Sequence, residues 1–197
     1  MTSNGRENSS FKISKINKVD QPGTVSQHLL TFNVGRVFFS KFRETEEKLS
    51  VPAYSGAVYG DTLYKADQNI VAMSGIAIDF DNERKIDGEK WCLEHPVLPK
   101  DIENKFGKAP WFFHSTHSNQ TDWPKWRMYM PFGRLVSRQE WPIVVNGILK
   151  QLGDFREGID MSCFEPSRHF LFPSYSGANK NSAFAGYFNG QEVVHVC

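Results

Sequence analysis

The sequence predicts an α+β protein in which strands outnumber helices. Three observations lead to this class: short apolar segments that alternate with period two, one long segment with helical periodicity, and turn-forming residues between them. The chain has 197 residues, 40% of them hydrophobic, and its sixteen Phe and five Trp residues can fill a substantial core. We find no internal repeat and no low-complexity tract in it.

Composition restricts the cellular setting more than the function. The formal charge of +1 neither indicates nor excludes nucleic acid, because an acidic centre would cancel a basic groove in the sum. No apolar run has transmembrane length, and the N-terminus lacks the apolar core of a signal peptide. The three cysteines, Cys92, Cys163 and Cys197, form no C-x-x-C pair. We therefore expect a cytoplasmic protein with no membrane association and no structural zinc.

The first part of the chain is predicted to be mostly irregular. Residues 1–10 are polar and are predicted to be a flexible tail, with a single domain over 11–197. Residues 29–39 resemble strand material broken by a Gly turn, and 40–49 have a helical composition. Residues 51–69 are rich in Gly, Ser and Asp, which predicts a loop with at most one short strand.

The strand predicted over residues 75–81 is the most informative segment, because it alternates two kinds of side chain. One face, directed into a core, carries Ile76, Ile78 and Phe80. The other face carries Ala77, Asp79 and Asp81. Two carboxylates on one face repel each other unless a cation lies between them, so this strand is either a solvated surface or a metal platform.

A second pair of strands follows. Residues 100–107 predict a short helix that ends at Gly107. Residues 109–118 and 125–132 are predicted to form a hairpin with a long loop. The second of these strands alternates well, with Arg127 on its more polar side.

The clearest helix is predicted over residues 137–153. Its apolar side chains have helical spacing: Trp141, Val144, Val145, Ile148, Leu149 and Leu152. Ser137 and Glu140 match a capping box and Gly153 supplies the stop, while Pro142 favours a start nearer Glu140. Two more strands are predicted, at 168–174 and near 192–196.

Several short motifs are candidates for chemistry. A lone Asp-x-Asp pair often lies on the solvent-exposed face of an edge strand. Asp79 and Asp81, however, end a predicted strand whose apolar run indicates an internal position in the sheet. Ser115 and His117 share a strand face by period two, although a lone His at a strand end is commonly structural. His114 and His117 are three apart and would face opposite sides, which disfavours a metal pair.

Three further charged residues are candidates. Asp160 follows the predicted helix and is either a turn residue or a third carboxylate of the same site. Arg127 lies in an apolar strand and Arg168 opens another, so each is either a surface charge or a phosphate ligand.

The order of these motifs resembles that of the archaeo-eukaryotic primase superfamily, the primase-polymerases, and most closely the small catalytic domains of plasmid and phage replication proteins. The first motif of that family corresponds to IAIDFDN (76–82), the second to Ser115-Thr116-His117, and the third to Asp160 in GID. WRMYMPF and EPSRHFLFPS are similar to its arginine-bearing strand and its segment after the third motif. The resemblance runs from about Val51 to about Gly190. It implies a two-layer catalytic core whose central, mostly antiparallel sheet has an RRM-like half and is flanked by helices.

The residue types fit nucleotidyl transfer with two divalent ions. Asp79, Asp81 and Asp160 would hold Mg²⁺ or Mn²⁺ through hard oxygen ligands. The triphosphate of an NTP or dNTP substrate would be bound by the remaining candidates, Ser115, His117, Arg127 and Arg168. The resemblance further implies a single-stranded DNA template and names a replicative helicase as a candidate partner.

Aromatic residues near these motifs are candidate platforms for a template base. They are Trp123, Trp126 and Phe132, although Trp126 and Phe132 lie on the apolar face of their predicted strand, which favours core packing.

Two alternative functions would use the same acids: a metal-dependent nuclease, and a replication-initiator DNA-binding domain with a vestigial site. A rolling-circle nickase is disfavoured because the His-x-His pattern is absent, and a serine hydrolase because no G-x-S-x-G elbow is present.

Overall fold

The computed structural model describes residues 10–17 and 23–190 and the backbone of 193–196. Most of the predicted N-terminal tail therefore lies outside the described residues, and Ser10 begins the first strand. None of the helices in these ranges is both long and apolar enough to cross a membrane.

The secondary structure consists of short strands with two α-helices. In chain order the strands are β1 Ser10–Ile16, β2 Ser26–Thr31, β3 Arg43–Glu44, β4 Ala53–Ser55, β5 Ala57–Tyr59, β6 Ile70–Phe80, β7 Glu83–Ile86, β8 Glu89–Cys92, β9 Trp111–Ser115, β10 Trp126–Ser137, β11 Phe170–Leu171, β12 Ser174–Tyr175, β13 Ala185–Phe188 and β14 Val193–Val196. The helices are α1 Phe32–Ser40 and α2 Trp141–Leu152. Short 3₁₀ segments are Lys48–Ser50, Asp67–Asn69, Pro99–Ile102, Gly153–Gly158, Met161–Phe164 and Gly177–Ser182.

Two antiparallel sheets organise these elements. The larger has the strand order β14-β13-β9-β10-β6-β5, and the smaller has the order β11-β4-β1-β2. Hydrogen bonds join the two sheets: Ser14 Oγ donates to the Ala57 carbonyl (2.6 Å), and Ser74 Oγ donates to the Lys12 carbonyl. The predicted α+β class with a mostly antiparallel sheet is confirmed.

The strand that carries the two aspartates is internal, as predicted. β6 lies between β10 and β5 and begins at Ile70, five residues before the predicted start. Ile78 and Phe80 on one face are fully buried, and Ala77 and Asp79 on the other face are buried as well. Both faces are covered, so Asp79 does not lie on a solvated surface.

An aromatic cluster fills the space under α1. Phe39 of this helix lies 5.1 Å, between ring centroids, from each of Tyr54, Phe112 and Tyr129. Phe112 and Tyr129 belong to the large sheet and Tyr54 to the small one. The cluster therefore fixes the position of both sheets and of α1 at once, since aromatic pairs of this size dominate core packing.

The prediction of a strand over 29–39 was wrong beyond Thr31. The chain forms β2 and then turns into α1, with the Thr31 hydroxyl accepting a hydrogen bond from the Val34 amide as the helix N-cap. Gly35 does not make a turn. It lies inside the helix, where an added Cβ would come within 2.7 Å of the Phe112 ring. The glycine is required by close packing between α1 and β9.

The helix predicted over 40–49 and the loop over 51–69 were also wrong in part. β3 pairs in parallel with β12, a strand more than 120 residues later, and its neighbour Thr45 donates its amide to Tyr175. Within 51–69 there are two short strands, β4 and β5, and each belongs to a different sheet. Backbone partners from distant segments override the local propensities here.

The second half of the chain follows the prediction more closely. β9 and β10 form the predicted antiparallel hairpin. Of the helix expected over 100–107, only residues 100–102 are helical, as part of the 3₁₀ segment Pro99–Ile102. α2 starts after Glu140, and Glu140 accepts hydrogen bonds from Ser137 in the predicted capping contact. Gly153 ends the helix with φ of 58°. The predicted strand over 168–174 divides into β11 and β12.

The chain passes from the small sheet to the large one at Gly56, which lies against the backbone of β6. A Cβ added to Gly56 would clash with the carbonyl oxygen of Gly75, and backbone cannot move aside as a flexible side chain can. We expect Gly56→Ala to lower the free energy of unfolding by roughly 1–3 kcal/mol. Urea denaturation followed by circular dichroism measures this change.

Gly133→Ala in β10 is the matched control for this substitution, because a Cβ added there meets nothing within 4 Å. Equal unfolding midpoints for Gly56→Ala and the wild type would contradict the packing account.

Candidate functional site

Three acidic side chains from separate parts of the sequence lie on one cleft, the acidic cleft. Asp79 is the penultimate residue of β6, Asp81 is the first residue after the strand, and Asp160 lies on the segment that returns after α2. Phe80 and Ile159 form an antiparallel bridge, and the Asp160 amide donates to the Asp79 carbonyl at 3.0 Å. The backbone therefore brings Asp160 beside Asp79 even though about eighty residues separate them.

The first carboxylate is held by a buried ion pair. Arg127 lies directly opposite Asp79 in the β6–β10 register, and its Nη2 donates to Asp79 Oδ2 at 2.6 Å. The second Nη of Arg127 donates to the Leu171 carbonyl at 3.1 Å, and its guanidinium lies 4.8 Å from the centre of the Phe170 ring. Burial is the largest single influence on the pKa of Arg127 and would lower it, but the charge and hydrogen bond of Asp79 together with the other neighbouring groups raise it.

One oxygen of Asp79 has no partner. Asp79 Oδ1 is buried and, within the described residues, accepts no hydrogen bond. The Nε of Arg127 is likewise buried and unpaired. An unpaired charged oxygen in the interior costs free energy. Such an atom next to a cleft is a candidate ligand for a cation.

Behind Arg127 lies a neutral histidine. His114 Nδ1 donates to the Ser115 carbonyl at 2.9 Å, so its Nε2 accepts a hydrogen bond from the Tyr54 hydroxyl at 3.1 Å. Burial, with the positive charge of Arg127 as a further cause, lowers the pKa of His114 to about 3. Burial also raises the pKa of Tyr54. Both groups are therefore uncharged at neutral pH and support the buried ion pair without competing for it.

Asp81 contrasts with Asp79. Among the described residues its carboxylate has neither an ion pair nor a hydrogen bond. Burial raises the pKa of Asp81, and the negative charge of Asp79 raises it further. Glu83 and Asp160 act in the same direction, while Lys125 opposes them. Asp81 is the acid of the cleft whose charge is least compensated.

Asn82 fixes the backbone directly after Asp81. Its side chain makes three hydrogen bonds, two with the Val97 backbone (2.8 and 3.0 Å) and one to the Pro124 carbonyl (2.7 Å). It has φ of 49°, in the left-handed region that Asn adopts more readily than most residues. The residue is fully buried. Its hydrogen bonds thus hold the chain where it leaves the Asp-x-Asp strand.

Asp160 has a structural function as well as its place on the cleft. Its Oδ1 accepts the Ser162 amide at 3.0 Å and its Oδ2 accepts the Ser162 hydroxyl at 2.9 Å, which caps the 3₁₀ segment 161–164. Arg168 Nη2 lies 3.4 Å from the same Oδ2 and is largely exposed. Such an exposed ion pair is weak, so Arg168 is free to turn to another anion.

The expectation that Ser115 and His117 share a face was wrong. Ser115 lies opposite Trp126, on the sheet face away from Asp79, and its hydroxyl accepts the Phe184 amide at 3.1 Å. β9 ends at Ser115, so the period-two rule does not extend to residue 117. Thr116 lies on the acidic cleft instead, and its hydroxyl is buried without a partner among the described residues.

His117 does lie on the acidic cleft, where a backbone contact orients it. Its Nε2 donates to the Thr45 carbonyl at 2.9 Å, because a carbonyl only accepts. The Nδ1 atom is then the one left for a ligand. A phosphate oxygen needs a donor, and Nδ1 carries a proton only when the imidazole is protonated.

The sequence interpretation missed other residues of the cleft. Lys48 and His169 also line it. Burial lowers the pKa of His169 to about 4, and its Nε2 lies 3.0 Å from the Tyr59 hydroxyl. Lys48 belongs to no motif, whereas His169 follows Arg168 directly in the quoted segment EPSRHFLFPS, where its position beside a candidate phosphate ligand was the available signal. Of the aromatic candidates, Trp126 is fully buried against Phe80, while Trp123 is only half-buried.

The oxygens of the cleft fit a divalent cation in part. Asp79 Oδ1 and the Asp81 carboxylate are unpaired hard donors of the kind that Mg²⁺ and Mn²⁺ prefer. The oxygens of Asp160 are engaged by Ser162. Across the described ranges, no three His, Cys, Asp or Glu side chains are arranged as a ready-made metal site. The cleft measures about 230 Å³, below the roughly 300–1,000 Å³ of pockets that enclose a whole ligand.

The acidic cleft therefore combines three carboxylates with the cationic side chains of Lys48, Arg127 and Arg168. The sequence profile of the VapE N-terminal domain matches residues 66–190, which include all seven predicted site residues. The chain therefore belongs to the VapE N-terminal domain family, a domain of replication-associated proteins of phages and plasmids. Comparison with curated proteins and with solved structures gave no match.

The uncompensated charge of Asp81 leads to a prediction about stability. Because its pKa is raised in the folded state, the native protein binds more protons than the unfolded chain between the ordinary value and the folded one, and stability falls as pH rises through that window. We expect Asp81→Asn to raise the melting temperature of the metal-free protein at pH 7 by a few degrees, and the gain to shrink towards pH 4. Thermal unfolding from pH 7 to pH 4 measures it.

Asp122→Asn is the matched control, since Asp122 is exposed and outside the cleft. A gain for Asp81→Asn that does not vary with pH would contradict the electrostatic cause.

Proposed function

We propose that this chain is a template-dependent nucleotidyltransferase, a DNA primase or polymerase domain that adds nucleotides on single-stranded DNA in phage or plasmid replication. The observation that carries the proposal is the convergence of Asp79, Asp81 and Asp160 on one cleft that also holds His117 and Arg168. Membership in a replication-associated family supports the same class of function.

The acids would hold two Mg²⁺ or Mn²⁺ ions. Asp79 Oδ1 and Asp81 are the unpaired oxygens, and Asp160 would join them by exchanging its contacts with Ser162. When bound, the two ions would activate the attacking 3′-oxygen and neutralise charge on the triphosphate. Clustered carboxylates that lack partners bind such ions favourably, because the ions remove their mutual repulsion.

The cationic residues divide into two roles. Arg127 is buried and committed to Asp79, so we assign it to orienting that carboxylate. Arg168 is exposed and weakly paired, so it can contact the triphosphate directly. His117 would bind a phosphate oxygen through Nδ1–H, and the unpaired hydroxyl of Thr116 can donate beside it. The small volume of the cleft suits the phosphates, with sugar and base lying outside it.

The alternative of a non-catalytic replication-initiator domain is favoured by one observation. Arg127 occupies one oxygen of Asp79 and Ser162 engages both oxygens of Asp160. If these contacts never open, the cleft binds DNA without reacting. A metal-dependent nuclease on the same acids is the other outcome that an activity assay distinguishes.

The deciding experiment incubates the chain with a labelled primer on a single-stranded template, and separately with template alone, NTPs or dNTPs, and Mg²⁺ or Mn²⁺. We expect longer products on a denaturing gel and a loss of at least about 100-fold, near 2.7 kcal/mol, in Asp81→Asn and Asp160→Asn. Asp81 is preferred to Asp79 for this test, because removing one partner of the buried Asp79–Arg127 pair would destabilise the fold.

Glu165→Gln serves as the control, since Glu165 is an exposed acid on the same loop as Asp160. Full extension by Asp81→Asn would refute the assignment. Shortened templates would identify a nuclease, and DNA binding without either reaction would identify an initiator domain.

A second test concerns His117. If it binds the triphosphate, His117→Ala should raise the KM for nucleotide about tenfold, near 1.4 kcal/mol, and leave the affinity for single-stranded DNA unchanged. Steady-state extension kinetics and fluorescence anisotropy with labelled single-stranded DNA provide the data.

The exposed His95 is the matched control, replaced by Ala in the same way. A loss of DNA affinity without a change in KM would instead assign His117 to the DNA-binding surface.

A further inference from the structure

The ribbon formed by β7 and β8 contributes no residue to the lining of the acidic cleft. We infer that this ribbon is a docking arm for the phosphate backbone of single-stranded nucleic acid, with Lys85 and Lys90 as the contacting residues. The inference rests on the proposed function only in that the bound strand would be the template; binding itself needs no catalysis.

The ribbon is a separate two-stranded sheet that leaves the large sheet directly after Asp81. β7 and β8 pair with each other alone among the described strands. Asp87 and Gly88 at the tip have φ of 53° and 85°, as expected for the Asp-Gly turn that favours tight hairpins. At the base, the Leu93 amide donates to the Asn82 carbonyl at 2.9 Å. Asn82 therefore fixes the position of the ribbon relative to the cleft.

The register gives the ribbon two different faces. Lys85 lies directly opposite Lys90, and Glu83 opposite Cys92, on one face. Arg84 lies opposite Trp91 on the other, and Trp91 is about half exposed there. We call the first of these the lysine face.

The lysine face contacts the segment that leads into β10. Glu83 bridges two lysines, with Oε1 2.7 Å from Lys90 Nζ and Oε2 3.1 Å from Lys125 Nζ at the start of β10. The hydrogen bond that Lys90 donates to Glu83 raises the pKa of Lys90, and the charges of Glu83, Asp81 and Asp160 add to the rise. Lys90 is thus within electrostatic reach of the acids that line the cleft.

The charges on this face do not balance. Glu83 is the single acid among three lysines, Lys85, Lys90 and Lys125, and is itself largely buried between two of them. Lys85 has no ion pair within the described residues, and like charges directly opposite each other destabilise a strand pair. On a chain with a net charge of +1, this local excess is typical of a surface that binds an anion.

An aromatic ring lies between the lysine face and the acids. Lys125 Nζ lies 4.5 Å from the centre of the Trp123 ring, and Trp123 Nε1 donates to the Asp81 carbonyl at 2.9 Å. Repeated positive charge beside an aromatic platform is the combination that binds single-stranded nucleic acid, through phosphates and stacked bases. A single-stranded nucleic acid bound to the lysine face would reach the cleft past Trp123.

The test is the salt dependence of binding, measured by fluorescence anisotropy with a labelled single-stranded oligonucleotide and no metal or nucleotide. Each lost phosphate contact should reduce the slope of log K against log salt by about 0.7, so Lys85→Gln/Lys90→Gln should reduce it by about 1.4. The dissociation constant near 0.1 M salt should rise about tenfold.

The matched control is Arg84→Gln/Lys150→Gln, which removes the same charge from the opposite ribbon face and from an exposed position on α2. It should leave the slope unchanged. Circular dichroism melting curves check that both variants fold, as expected for exposed side chains.

Three results would overturn the inference: no binding by the wild type, an unchanged slope in the lysine variant, or an equal fall in the control. An unchanged slope would exclude Lys85 and Lys90 from contact with the nucleic-acid backbone. A reduced slope in a chain that never extends a primer would refute the proposed function but keep the docking arm. Primer extension by the wild type, combined with an unchanged slope in the lysine variant, would refute the docking arm but keep the proposed function.

Discussion

The buried ion pair between Asp79 and Arg127 is the interaction on which the site depends. It exists because β6 and β10 pair in one register, and a slip of β10 by one residue would turn Arg127 to the sheet face opposite Asp79. The guanidinium is held from the other side by the Leu171 carbonyl and the Phe170 ring. Removing one partner of such a pair costs about 3–5 kcal/mol, so the fold is tied to the first acid of the cleft.

This pair divides the acids of the cleft into a fixed one and an open one. Asp79 is neutralised on one oxygen only, while Asp81, two residues away, has no partner in the described part of the chain and has a raised pKa. Asp160 lies between these extremes, since its contacts with Ser162 are local and Arg168 is exposed. The uncompensated negative charge of the site therefore lies at Asp81, whereas the charge of the more deeply buried Asp79 is paired with Arg127.

Asn82 connects this site to the ribbon. It holds the segments around Val97 and Pro124 through its side chain, and its backbone carbonyl accepts the amide that closes the base of the ribbon. The lysine face and Asp81 are for this reason placed by one buried residue. If the ribbon and the cleft have the functions proposed for them, this fixed spacing would let a bound strand reach the acids in register.

Local periodicity was enough to predict β6, the β9–β10 hairpin, α2 and the pair Asp79 and Asp81. These are long or strongly patterned segments in which burial on one face repeats every two or every 3.6 residues. The order of motifs also indicated that Asp160 belongs with them, and the Phe80–Ile159 bridge places it there.

Other features depended on contacts that the sequence does not encode locally. α1 forms because Gly35 packs on Phe112, and β3 is a strand because its partner lies in β12. Ser115 faces away from the acids because it pairs with Trp126 in the β9–β10 register, and β9 ends there, which leaves Thr116 at the cleft. The sequence by itself determined which acids could act, because alternation is a local property. Only the tertiary structure decided which of them is neutralised and what surrounds it, because those depend on segments brought together from across the chain.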